Sequence, residues 1–200
     1  MKSLKRPNKK DTEKLHAEVN QILNQRIVLT TFAIAVFGAA ITLLLSRQES
    51  SNEIDNFTYM ASALLTVVLF ALFLLNHFLT RQMRIITTYL DVTESSDWEK
   101  DWVTYKDKYR YMGYTKSMSI IFLVLGIMSF GFPVLLLAAY PTIKLEHRAG
   151  VLFCALIGTL YILFVWGMGM AGWFTDEDNI RLRWKELKEL KELKQNNGKP

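Results

Sequence analysis

Charged residues along the chain fall in clusters, and four stretches between them hold no Asp, Glu, Lys or Arg: Ile27 to Ser46, Tyr59 to Thr80, Ser117 to Tyr140 and Gly150 to Phe174. Each has at least 20 residues, enough for a helix to cross a hydrocarbon core of about 30 Å. The pattern predicts an all-α, polytopic membrane protein with four transmembrane helices. The first stretch reads as a permanent span and not as a leader peptide. Twenty-six polar or amphipathic residues precede it, and "ITLLLSRQES" is a poor match to a small-residue cleavage site.

Outside the spans the periodicity stays helical. After the basic tail "MKSLKRPNKK", Asp11 can cap a helix whose stripe, Leu15, Val19 and Ile22, runs on into span 1. Span 2 has no stop signal at its end, and Met83, Ile86 and Leu90 keep register with Leu75 and Leu79. The expected organisation is a tail and entry helix over 1–26, spans over 27–46 and 59–80, a helical insert over 81–116, spans over 117–140 and 150–174, and an amphipathic helix with its tail over 175–200.

Orientation follows from basic residues, which the cytoplasmic side of a membrane retains. Of 24 Lys and Arg, seven precede span 1, seven lie between spans 2 and 3, and seven follow span 4; only Arg47, Lys144 and Arg148 fall on the other side. Both termini and the helical region are therefore expected in the cytoplasm, with outer loops of 12 and 9 residues.

The insert opens with Ser96-x-x-Glu99, a capping-box spacing, and sets Trp98, Trp102, Tyr105, Tyr109 and Met112 at intervals of 4, 3, 4 and 3. Three uses of this aromatic face compete. It packs against the other cytoplasmic helices, because aromatics bury large areas; or it lies at the headgroup level, although Asp97, Glu99, Asp101 and Asp107 oppose an anionic surface. In the third use, Tyr105, Tyr109 and Tyr111 with Lys106, Lys108 and Arg110 form a stacking and phosphate-binding surface for a nucleotide or oligonucleotide. Trp98, Trp102 and these six residues are the candidates for binding a ligand or a protein partner.

The C-terminal segment carries the repeat "WKELKELKELK". Thr175-x-x-Asp178 offers a helix start, with acidic side chains in the first turn. A repeat of three slips about 60° per step around a helix of 3.6 residues per turn, so Leu187, Leu190 and Leu193 spread over a wide arc. From Lys185 to Lys194 there are four Lys and three Glu. That near-balance favours packing against protein over binding to a lipid surface.

Candidate chemistry is sparse. No acid, Lys or Arg stands in a span and His77 is the one histidine there, which argues against a proton relay or an ion-coupled transporter. "GMGMAG" at Gly167 to Gly172 satisfies GxGxxG, but it closes an apolar helix and does not follow a strand. His16, His77 and His147 lie in three separate regions without metal-ligand spacing. The lone Cys154 sits within span 4 as a small apolar side chain. No catalytic residue, metal site or cofactor is expected, and the chain is not read as an enzyme.

The spans do offer polar and small positions. Thr30, Thr31, Thr42, Ser62, Thr66, Asn76 and His77 are the candidates for lining a pore, although Ser and Thr also bond their own helix backbone. Ala35, Gly38 and Ala39 in span 1, and Gly158, Gly167 and Ala171 in span 4, are candidates for close helix approach in an oligomer, together with Leu187, Leu190 and Leu193. Gly131-Phe132-Pro133 is placed to bend span 3.

Four spans, small outer loops, large cytoplasmic helices and the entry helix "LHAEVNQILNQRIVLTT" resemble the compact four-span membrane subunits of bacterial anti-phage systems, such as the Hailong channel and the Kiwa membrane subunit. The likeness lies in the plan of most of the chain and carries over no site residue. It implies an oligomeric effector of the bacterial inner membrane. Such an effector is either a gated ion-conducting pore under a cytoplasmic signal or a non-conducting scaffold for a soluble partner. On the topology read from the basic residues, single cysteines at Ser51 and Thr142, in a background lacking Cys154, react with an impermeant thiol reagent from outside, whereas cysteines at Ser96 and Asn196 do not. Outside labelling at Ser96 contradicts that topology.

Overall fold

The computed structural model describes residues 9–50, 56–93, 114–139, 145–169 and 177–197. Every regular element among them is an α-helix: α1 (Lys9–Ser50), α2 (Asn56–Val92), α3 (Tyr114–Ala139), α4 (Leu145–Gly169) and α5 (Glu177–Asn197). The first four are long and apolar enough to cross a membrane. With 42 residues, α1 is about 63 Å long at 1.5 Å per residue, twice what a bilayer core requires. It starts ahead of Asp11, which stands in its first turn, where a negative charge opposes the helix dipole. Likewise α2 continues unbroken past Thr80 to Val92. The chain divides into two compact units, one of Met1–Arg26, Phe78–Gly113 and Phe174–Pro200, the other of Ile27–His77 and Tyr114–Trp173.

The second unit holds the spans, and its inside is smaller and more polar than its outside. Buried positions recur at intervals of 3 and 4 along each helix: Tyr59, Ser62, Thr66, Leu69, Phe73 and Asn76 on α2; Met118, Phe122, Leu125 and Ser129 on α3; Val151, Cys154, Gly158, Tyr161 and Val165 on α4. Thr30, Ala33 and Phe37 give α1 its buried face. The outward faces carry Met60 at 73% exposure, Leu64 at 65%, Leu135 at 71% and Leu152 at 71%. Water would penalise such a surface, at roughly 25 cal/mol per Å² of apolar area. Lipid does not, because its acyl chains are as apolar as leucine.

Aromatic side chains join the helices edge to face: Phe73 meets Phe122 at 5.7 Å between centroids, and Phe70 meets Tyr161 at 6.1 Å and Phe164 at 5.7 Å. At the start of α2, Arg47 from the last turn of α1 lies 4.2 Å from the centroid of the Phe57 ring, a cation–π contact. Two residues after Phe57, the Tyr59 carbonyl accepts from the Cys154 thiol of α4 at 3.4 Å. Pro133 stands inside α3 and is buried.

One close approach decides how α3 and α4 fit. The Tyr161 hydroxyl donates to the Phe122 carbonyl at 2.5 Å, and its ring lies over Gly126, one turn further along α3. A Cβ on Gly126 would come within 2.0 Å of that ring. The ring cannot swing aside without breaking its bond to Phe122. Gly126→Ala should therefore destabilise the fold by about 1–3 kcal/mol, the usual range for overpacking. Gly131→Ala, whose Cβ would meet nothing within 4 Å, should be neutral or stabilising, since Ala favours helix over Gly by up to about 1 kcal/mol. Unfolding curves in detergent check the pair, and equal stability of the two variants contradicts this packing.

Candidate functional site

Three hydroxyls close a circuit between α2 and α3. Ser62 Oγ donates to the Ser129 carbonyl, and Thr66 Oγ1 donates to the Ser62 carbonyl at 2.9 Å. Ser129 Oγ then has Thr66 Oγ1 at 2.9 Å and the Ser62 carbonyl at 3.3 Å as acceptors for its own hydrogen. Each hydroxyl carries a single hydrogen, and all three are used within the protein. Both serines are at 0% exposure and Thr66 at 1%. Hydrogen bonds of this kind between membrane helices contribute about 0.6 kcal/mol on average and up to about 1.7.

The remaining polar candidates divide between inside and outside. Thr30 Oγ1 donates to Met118 Sδ at 3.1 Å and is buried. Asn76 and His77 are buried as well, with the His77 ring 6.1 Å from that of Phe73. Thr31 and Thr42 are exposed. Together with Ala35 and Gly38 they stand at intervals of 4, 3 and 4, so one face of α1 presents small side chains and hydroxyls along its span. Ala39 is exposed beside that face. Thr42 Oγ1 donates to its own helix, at the Gly38 carbonyl, 2.9 Å away, leaving its lone pairs facing outward. Open space surrounds the position of a Cβ on Gly38.

The small residues of α4 serve differently. A Cβ on Gly158 would lie 2.2 Å from the Phe130 ring, so this glycine admits an aromatic of its own chain. Gly167 is buried too. Ala171 lies outside the described residues. So does the aromatic segment with Trp98, Trp102, Tyr105, Lys106, Lys108, Tyr109, Arg110 and Tyr111.

In the first unit, α5 is held against the end of α2. The Arg181 guanidinium donates to the Asp91 carboxylate, and Trp184 lies 4.8 Å from Tyr89 between ring centroids. The α2 end is itself tied down, since Thr93 N–H and Oγ1 both donate to the Tyr89 carbonyl, at 3.0 and 2.9 Å. Leu90 is fully buried. The repeat leucines take no part in this contact: Leu187, Leu190 and Leu193 are 47%, 54% and 58% exposed.

Among the buried polar residues that sequence reasoning passes over are Arg26 and Ser129. Arg26 is 1% exposed although its place just ahead of span 1 suggests only a cytoplasmic charge; the spacing Ile22, Arg26, Thr30, one turn at a time, is the signal that marks it. Ser129 follows Phe122 and Leu125 on the buried face of α3 and supplies the third hydroxyl of the circuit. Among the described residues, no group of three or more His, Cys, Asp or Glu gathers to hold a metal ion. Compared with family models, curated proteins and solved structures, the chain matches none.

The clamp on α5 predicts a measurable loss of protection. Aromatic pairs are worth about 0.5–1.5 kcal/mol beyond their buried area, so Trp184→Ala should raise amide exchange across residues 178–190 by roughly two- to tenfold. Arg181→Asp should do the same to a smaller degree, and Asp91→Arg in the same chain should restore protection. Exchange rates unchanged by Trp184→Ala contradict the docked arrangement.

Proposed function

We propose that the chain is one subunit of a homo-oligomeric, gated ion-conducting pore in the bacterial inner membrane, with both termini in the cytoplasm. The supporting observation is the sorting of polar groups. Ser62, Thr66 and Ser129 satisfy one another inside the copy, whereas Thr31, Ala35, Gly38 and Thr42 turn a narrow hydroxyl-bearing face outward. Hydrocarbon gains nothing from that face, and a water path between copies does. Four spans enclose little space alone, so the path forms where several α1 helices surround a symmetry axis. An anti-phage role under a cytoplasmic ligand or protein partner is part of this proposal and comes from the four-span plan.

The second reading, a scaffold without conduction that recruits a soluble partner, draws on the exposed leucines of α5. Membrane potential separates the two. Expression should depolarise cells, and a water-soluble thiol reagent should modify Thr31→Cys, Ala35→Cys and Thr42→Cys and alter the depolarisation. It should leave Leu64→Cys and Leu156→Cys, on lipid-facing surfaces, untouched, all in a Cys154→Ala background. Full membrane potential at high expression, or equal reactivity at Thr42→Cys and Leu64→Cys, contradicts a pore along α1.

A further inference from the structure

The Ser129 carbonyl, which takes part in the circuit between α2 and α3, is one that α3 cannot satisfy in the regular way. In an α-helix each carbonyl accepts the N–H of the residue four further on. For Ser129 that residue is Pro133, which stands inside α3 and has no N–H to give. The proline ring also crowds the carbonyl four residues before it, which weakens the helix at this point. Ser129 and Pro133 are both fully buried, so the freed oxygen lies inside the protein.

The donor comes from the neighbouring helix. Ser62 Oγ of α2 donates to this same carbonyl, in place of the amide hydrogen that proline lacks. Membrane helices tolerate proline where a neighbour resupplies the freed backbone group. A helix bends most readily where its ladder is interrupted, and two residues before the proline a Cβ on Gly131 would meet nothing within 4 Å, so no close packing braces α3 there. The Ser62 hydroxyl also has an alternative acceptor, the Thr58 carbonyl one turn earlier in its own helix. With Ser62 reaching across, the bend in α3 is pinned to α2; with Ser62 turned back, the Ser129 carbonyl loses that donor and the end of α3 is free to swing. We propose that Pro133 is a hinge of α3 and that Ser62 is its latch, an α2 hydroxyl that closes the hinge by standing in for the missing amide. Ser129 Oγ, beside Thr66 Oγ1 at 2.9 Å, gives the two helices a second tie on the near side of the hinge. The device stands whether or not the chain conducts ions.

The test is a double-mutant cycle on the full-length chain in detergent. Ser62→Ala removes the latch and should raise the unfolding equilibrium constant roughly three- to twentyfold, the span of hydrogen bonds measured between membrane helices. Pro133→Ala supplies the N–H that completes the ladder of α3, so adding Ser62→Ala to it should change that constant less than about twofold. Spin labels at Met60→Cys on α2 and Leu135→Cys beyond the hinge, both exposed, read the motion in a Cys154→Ala background. Their distance distribution should broaden with Ser62→Ala and narrow again when Pro133→Ala is added. If Ser62→Ala alone does not fold, recovery of folding in the double variant supports the latch, and failure of both contradicts it. An equal effect of Ser62→Ala with and without the proline, or a Met60 to Leu135 distribution indifferent to both changes, would overturn the proposal.

Discussion

Hydrocarbon offers hydroxyls and carbonyls no partner, so every polar group within a span must find one in the protein or face water. The circuit of Ser62, Thr66 and Ser129 is how α2 and α3 meet that requirement, and it fixes their register as well as their distance. A shift of one residue along either helix would separate Ser62 from the Ser129 carbonyl and Ser129 from Thr66, while the bond of Thr66 to its own helix would remain. Around this polar seam the aromatic contacts and the seat of Tyr161 on Gly126 follow as shape complementarity, because no hydrophobic force draws one helix to another in lipid.

That constraint also sorts the surface. Once the seam and the Thr30 to Met118 bond have taken their hydroxyls inside, the outward faces are left with leucine, valine, phenylalanine and methionine, which suit lipid, and with the Thr31 to Thr42 stripe, which does not need lipid. Beyond the spans the logic reverses. α5 is not among the helices apolar enough to cross a membrane, and its exposed leucines stand among charged side chains. Under the proposed function, association between copies covers both the Thr31 to Thr42 stripe and these leucines.

The spans and their helical class are legible in the sequence because charge is so costly in hydrocarbon that 20 apolar residues free of it mark a helix able to cross. The helical continuation of α2 is legible through Met83, Ile86 and Leu90. What periodicity does not decide is which of two adjacent hydroxyls faces in: Thr30 and Thr31 differ by about 100° on the same helix, and only the positions of neighbouring helices distinguish them. The same ambiguity hides Arg26 among flanking charges, and it leaves Gly158 looking like a contact for another copy when Phe130 of its own chain fills that space. For the repeat, the wide arc of leucines is apparent in the sequence, but its separation from the Trp184 face needs Tyr89 and Asp91 in place.

The most direct measurement is the mass of the particle released from the membrane by mild detergent. Because the interior of one copy leaves its own hydroxyls no water path, the account predicts a particle containing several 23.1 kDa chains, with one defined stoichiometry at all protein concentrations tested. A particle of a single chain, at concentrations where the protein is still folded and depolarises cells, would contradict it.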